Sequence, residues 1–226
     1  MTEGDLILFR EGFLPTPSLQ FTSEEWAHAR ARRLDRGDHL VEIRDGLGKS
    51  FLYRLSPNKK ELFLVEEKFL IQRLKALAIA IALPKGNRLD FFLQKATEIG
   101  ISKIFFCEFE HSVRKEFNIE RAKKIVSEAA SQSKQPDLLQ MEIVTAMDWL
   151  KENKTRVLIL DPHADQSFQS TLLAEKIPVI GPEGGFSKSE ILKMDGWNLE
   201  RVRLNGGILR TETAGIVAAS LLAYGT

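Results

Sequence analysis

The sequence predicts an α/β protein in two parts, a small β-rich segment over 1–72 followed by a larger α/β domain with a mostly parallel sheet over 73–226. Three observations carry this prediction. Ala76–Leu83 is continuously apolar, as expected of a strand buried on both faces of a parallel sheet. Beyond it, strand-like and helix-like segments alternate through to Tyr224. Before it, short strand candidates are joined by Asp-Gly and Pro-Asn turns, with a single helix signal among them.

Taken in order, Leu6–Arg10 is a short strand candidate. Thr22 followed by Glu25 is a capping-box pattern, so a helix should run from there to about Leu34. Asp38–Arg44, Ser50–Leu55 and Glu61–Glu66 read as antiparallel strands, and a compact barrel or half-barrel would fit them. In the second part, Leu89, Phe92, Leu93, Ala96 and Ile99 fall at helical spacing. Asn87 is the expected cap and Gly100 the expected stop. Strands are then expected at Lys103–Glu108, Gln140–Val144, Arg156–Asp161, Pro178–Gly181 and Glu200–Leu204. Helices are expected at Ile119–Ser133, Met147–Glu152, Lys188–Met194 and Thr211–Tyr224.

Composition excludes several classes. Hydrophobic residues make up 43% and charged residues 28%, ordinary for a globular chain and against disorder. The net charge of +1 neither favours nor forbids nucleic acid, because a local basic patch can hide in a neutral sum. The single cysteine, Cys107, rules out an intramolecular disulfide and a cysteine-based zinc site. His28, His39, His111 and His163 are scattered without ligand spacing, so no metal is expected. No secretory signal and no apolar run of about 20 residues is read, which makes a cytoplasmic location the expectation.

Gly46-Leu47-Gly48-Lys49-Ser50 resembles a shortened phosphate loop, but Ile43 stands where the first glycine belongs and the run sits in a hairpin, so it reads as a turn. No Gly-x-Gly-x-x-Gly occurs, which counts against a nucleotide-binding α/β module. The informative segments come late. In Val179–Glu190 a buried strand runs into Gly181, Gly184 and Gly185, then into a helix capped by Ser187 with Glu190. Such a loop lets a ligand approach the main chain past a strand's carboxyl end. A sharp turn needing glycine angles is the alternative. In Leu204–Ala214 a second strand leads through Gly206 and Gly207 into Arg210 and Glu212 at the start of an otherwise uncharged helix. A structural Arg–Glu pair with Thr213 as cap is the alternative there.

Gly181–Ser187 and Ile208–Ala214 resemble the two signature loops of the bacterial RsmE family, SPOUT-class methyltransferases of uridine N3 in 16S ribosomal RNA. Leu83–Gly86, Gln94–Gly100 and Glu128–Ser133 are similar to other stretches of the family's catalytic domain. Arg33-Leu34, Gly37-Asp38 and Asp45-Gly46 are loosely similar to its PUA-like RNA-binding domain. The family usually carries arginine where this chain has His111, a basic residue near Gln135, and arginine in place of Gly207, so three cationic positions are lost or weakened here.

The resemblance implies a SPOUT domain with a C-terminal trefoil knot, preceded by a PUA-like barrel, and a homodimer acting on the small ribosomal subunit. It implies S-adenosyl-L-methionine held by Leu160, Asp161, Gly181, Pro182, Glu183, Gly184, Gly185, Leu204, Asn205, Gly206, Leu209, Arg210, Thr211 and Thr213. For catalysis, Arg210 is the candidate to stabilise the anionic uracil oxygen, with Glu212 orienting it. Glu183 is a candidate base or, alternatively, a holder of its own loop through backbone donors. Arg30, Arg32, Arg33, Arg36 and Lys85 are the candidate RNA contacts, the arginines reading equally as a solvated helix face. The same chemistry on another RNA, or a lapsed enzyme kept as an assembly factor, are the alternative functions.

Overall fold

The computed structural model describes residues 4–34, 37–56, 61–69, 76–112, 117–169, 176–204 and 207–224. The chain divides into two compact units, Met1–Leu74 with Ser127–Leu138, and Lys75–Val126 with Leu139–Thr226. The first unit therefore takes in a segment from the middle of the sequence, which the strand and helix pattern did not suggest.

In the first unit the strands are β1 (Leu6–Phe9), β2 (Ser18–Gln20), β3 (Leu40–Arg44), β4 (Lys49–Leu55) and β5 (Glu61–Phe69), and the helix is α1 (Ser23–Ala31). They form one mixed sheet in the order β1-β3-β4-β5-β2. Among the described residues its edge strands do not pair with each other, so it is a half-barrel. β3, β4 and β5 are antiparallel as expected, whereas β1 runs parallel to β3. The Asp45–Lys49 stretch is the expected hairpin turn: Asp45 Oδ1 accepts the backbone N–H groups of Leu47 and Lys49 at 2.8 and 2.9 Å. The capping box of α1 is formed by Thr22 and Glu25. The helix ends on Arg33 at φ 60°, with the Leu34 N–H reaching back to the Ala29 carbonyl at 3.1 Å. Leu6, Val41, Ile43, Phe51, Tyr53 and Leu62 fill the core.

A buried polar knot of contacts holds the mid-chain segment to this unit. The Arg44 guanidinium donates to Glu42 at 2.7 Å and to the carbonyls of Lys134 and Gln135 at 2.9 and 2.5 Å. Ser50 also donates to Glu42, at 2.7 Å. Burial pushes the Glu42 carboxyl up, but the bonds from Arg44 and Ser50 outweigh it and hold it below the usual range. Ser131 donates to the Ile7 carbonyl.

The second unit contains β6 (Ala78–Ala82), α2 (Asn87–Ile99), β7 (Lys103–Glu108), β8 (Gln140–Thr145), α4 (Ala146–Glu152), β9 (Val157–Leu160), β10 (Ile177–Ile180), α5 (Lys188–Gly196), β11 (Arg201–Val202) and α6 (Thr211–Tyr224). The helix between β7 and β8, α3 (Ile119–Gln132), begins in this unit and ends among the residues of the first. Its sheet is wholly parallel, in the order β11-β9-β10-β6-β7-β8. β9 and β10 are buried at every residue, which is why they read as unbroken apolar runs. Pro178 is tolerated in a central strand because pairing with β6 begins only at Val179. β11 keeps only two residues of the expected Glu200–Leu204 strand. Asn87 does not cap α2: Gly86 takes the cap position at φ 56°, with no side-chain cap bond, and Gly100 closes the helix in the left-handed region as expected. α6 packs on α2 and β6 through Gly215, where a Cβ would lie 2.6 Å from Phe92 and 2.8 Å from Ile81. Among the described residues no helix is long and apolar enough to cross a membrane.

Candidate functional site

Three loops leave the carboxyl ends of β9, β10 and β11 on one edge of the parallel sheet, where open α/β sheets bind ligands. The first is pinned by Asp161. Its buried carboxylate accepts the His163 N–H at 2.9 Å and pairs with Arg201 at 3.2 Å. The second folds the Phe186 ring back over Gly181, where a Cβ would lie 2.8 Å from the ring, so only glycine fits. Gly185 sits at φ 73° and donates to the Pro182 carbonyl at 2.8 Å. This loop runs into α5 through the Ser187–Glu190 capping box. Glu190 is buried, and its two oxygens accept the N–H groups of Ser187 and Glu110, both at 2.8 Å. It thereby ties the loops after β7 and β10 together. His111 adds a contact from its Nδ1 to the Gly185 carbonyl at 3.1 Å. The third loop enters α6, where the Thr211 hydroxyl donates to the Gly181 carbonyl at 3.2 Å.

These loops enclose a cavity of about 420 Å³. Of the residues singled out in the sequence, Leu160, Asp161, Gly181, Pro182, Glu183, Gly184, Gly185, Leu204, Leu209, Arg210 and Thr211 line it. Asn205 and Gly206 lie outside the described residues, as does Arg36. Thr213 does not line the cavity, because α6 starts at Thr211 and leaves Thr213 exposed in its first turn. The cavity also takes in Phe186 and Arg201, which the sequence reading did not assign to the cofactor. Two of its glycines face open space: a Cβ at Gly185 or Gly207 would meet no atom of the described residues within 4 Å. Apolar side chains and main chain line it together with Asp161, Glu183, Arg201 and Arg210, the mix of apolar wall and few polar groups typical of a small-molecule site.

The charges at its rim are arranged differently from the sequence expectation. Among the described residues no backbone N–H is seen donating to the Glu183 carboxylate. Glu183 pairs with Lys85 at 3.0 Å and with Arg88, and the Lys85 hydrogen bond chiefly holds its carboxyl below the usual range. Nor does Glu212 orient Arg210. It is buried, one oxygen lies 3.7 Å from Arg88 Nε, and the other has no hydrogen-bond partner among the described residues. Arg210 is exposed and has no carboxylate partner among the described residues. Arg88 is the residue the sequence reading missed. It is a cation in the first turn of α2, where the helix dipole disfavours one, and that mismatch is the signal that could have found it. In the first unit, Arg30, Arg32 and Arg33 are exposed at the end of α1. Among the described residues no group of three or more His, Cys, Asp or Glu gathers to hold a metal ion.

Comparison with known proteins bears on this site. The RNA methyltransferase domain family matches residues 72–223. A ribosomal RNA small subunit methyltransferase E of Rickettsia conorii is 32% identical over 197 residues, covering 80% of this chain and 74% of the relative. The crystal structure of a probable rRNA-methyltransferase from Porphyromonas gingivalis is similar with a TM-score of 0.78 at 25% identity, over 96% of this chain and 98% of that one. A ribosomal RNA small subunit methyltransferase E from Neisseria gonorrhoeae, solved bound to S-adenosyl methionine, shares the fold with a TM-score of 0.77 at 22% identity, over 95% of each chain.

Proposed function

The chain belongs to the ribosomal RNA small subunit methyltransferase E family of RNA methyltransferases, and from that premise we propose that it methylates uridine N3 in 16S ribosomal RNA using S-adenosyl-L-methionine. The observation that carries the reading is the glycine-walled cavity of about 420 Å³ built from the loops after β9, β10 and β11. The cofactor supplies an already activated methyl group, so the protein's work is alignment and charge stabilisation. Leu160, Gly181–Gly185, Leu204 and Gly207–Thr211 would hold it. Uracil N3 carries a weakly acidic proton, and losing it puts negative charge on the ring oxygens. Arg210, with no carboxylate competing for it among the described residues, is the group assigned to that charge. Glu183 is assigned a positioning role, fixing Lys85 and Arg88 beside the cavity, and solvent takes the proton.

The rest of the reading is of the same kind. The first unit acts as a PUA-like RNA-binding domain, with Arg30, Arg32 and Arg33 contacting phosphates. The second acts as a knotted SPOUT domain in a cytoplasmic homodimer, supported by the partly exposed Ile216, Leu221 and Leu222 of α6 and by Tyr224, 73% exposed. The target base must leave its stack to reach the cavity. The test is transfer of labelled methyl from S-adenosyl-L-methionine to unmodified small ribosomal subunits, with the labelled nucleoside identified afterwards. N3-methyluridine at one site, lost on Arg210→Ala, is expected. Label in another nucleoside overturns the specificity, and full activity in Arg210→Ala removes that residue from the mechanism.

A further inference from the structure

The strand order of the second unit reverses between β6 and β10: the chain moves from β6 outward to β7 and β8, then crosses to β9 and returns to lay β10 against β6. A crevice forms at such a reversal, open to both sides. The methyl-donor cavity occupies the side of β9, β10 and β11. On the other side, the loop after β6 and the starts of α2 and α3 enclose a second cavity of about 260 Å³. A narrow hollow of about 30 Å³ lies between the two. It shares Lys85 with the second cavity and Glu183 with the first, and the Lys85–Glu183 ion pair joins its two sides.

We propose that the second cavity is a subsite for the nucleotide flanking the one that is methylated, a proposal that rests on the RNA-methyltransferase reading. Its lining has the parts such a ligand requires. Leu89 and Ala122 give an apolar floor, and Asn87 and Asn118 bring side-chain amides that can meet the mixed donor and acceptor edge of a base. Asn118 spends its oxygen on the Arg121 N–H at 3.0 Å, which leaves its two amide donors. The Arg121 guanidinium is gripped edge-on by Asp90, Nε to Oδ1 at 3.3 Å and Nη2 to Oδ2 at 2.5 Å. A bidentate clamp fixes the plane of the guanidinium and leaves its faces for stacking, the mode by which Arg holds an unstacked base. Lys85, at the passage toward the methyl-donor cavity, suits the phosphate between the two nucleotides. An extruded nucleotide stays tethered to its neighbours through the phosphodiester, and enzymes that take a base out of its stack also contact the flanking −1 and +1 nucleotides.

The experiment compares wild type with Arg121→Ala, Arg121→Lys and Asn87→Ala. Three quantities are read: cofactor Kd by calorimetry, KM and kcat for methyl transfer to unmodified small subunits, and the peptides that crosslink to an RNA transcript substituted with 4-thiouridine. KM should rise roughly tenfold in Arg121→Ala, the size of one lost base stack. Arg121→Lys should fail equally, since an ammonium keeps the ion pair but offers no plane. Cofactor Kd should stay within about twofold of wild type, since none of these residues lines the methyl-donor cavity. Crosslinks should map to 83–90 or 118–122 and disappear from Arg121→Ala. Recovery of normal KM by Arg121→Lys would make the residue a structural ion pair and overturn the subsite. So would crosslinks that avoid both segments. If Arg121→Ala does not fold, Asn87→Ala and the wild-type crosslink map decide. Wild type that transfers no methyl group would fell the uridine reading alone, because the crosslink map judges the subsite without turnover.

Discussion

Glu190→Gln separates what a helix cap needs from what this loop cluster needs. Glutamine serves the third position of a capping box as well as glutamate does, so local reasoning expects almost no change. The structure expects a large one. Both carboxylate oxygens of the buried Glu190 accept backbone N–H groups at 2.8 Å, one from Ser187 in its own cap and one from Glu110 in the loop after β7. A hydrogen bond to a charged acceptor contributes about 1.5–3 kcal/mol, and a neutral one about 1 kcal/mol. Glutamine keeps one bond at the neutral value and turns an N–H donor toward the other N–H. The sum is a loss of about 2–5 kcal/mol. For a chain of this size that lowers the midpoint by roughly 4–20 °C. Thermal unfolding of wild type and variant gives the number, and amide exchange at Glu110 and Ser187 locates it. Cofactor affinity should fall as well, because His111 and Gly184 lie in the two loops that Glu190 joins. A variant within about 0.5 kcal/mol of wild type, with Glu110 still protected, would refute the reasoning.

Glu183 is held ionised chiefly by the Lys85 hydrogen bond, which keeps its folded pKa below the usual carboxylate value. Its contribution to loop order is therefore complete above that value and lost only as pH falls through the lower folded value. A pH–rate profile should show no acidic limb near neutrality that Glu183→Gln abolishes; such a limb would restore Glu183 as the base. Gly215→Ala gains about 1 kcal/mol of helix propensity but forces a Cβ to 2.6 Å from the buried Phe92 ring, and overpacking of that kind costs about 1–3 kcal/mol. Net destabilisation in urea unfolding is expected, and a stabilised variant would show that α6 can move away from α2. Arg44→Leu strands the buried Glu42 carboxylate and should cost about 3–5 kcal/mol. Glu42 is held below its usual pKa, so wild type should shed this contribution as pH drops through the acid range, and the variant should show a flatter acid limb in chemical unfolding.

What the sequence made legible was local. The capping boxes at Thr22 and Ser187 depend on residues three apart, and both form as read. β6, β9 and β10 announce themselves because strands covered on both faces carry no polar residue. β2 gave no signal, since Ser18–Gln20 is a three-residue edge strand with only Leu19 partly buried. At the cavity, the glycine loops were readable because close backbone approach demands that residue type. The charge pairing was not. Which carboxylate meets Arg88, Lys85 or Arg210 depends on how loops far apart in sequence converge, and the reading paired Arg210 with its near neighbour Glu212 where the fold pairs Arg88. The second use of Glu190 was hidden for the same reason, because Glu110 is 80 residues away.

The inclusion of Ser127–Leu138 in the first unit bears on how the protein can be taken apart. A fragment ending at Leu74 would contain every strand of the half-barrel and still be unfinished. It would lack the carbonyls of Lys134 and Gln135 that take up the Arg44 guanidinium, and the hydroxyl that meets the Ile7 carbonyl. During synthesis the half-barrel must likewise wait for the excursion Lys75–Val126 to emerge, several seconds at about 5–20 residues per second. A transplantable version of this unit would need the mid-chain segment rejoined to it through a short linker.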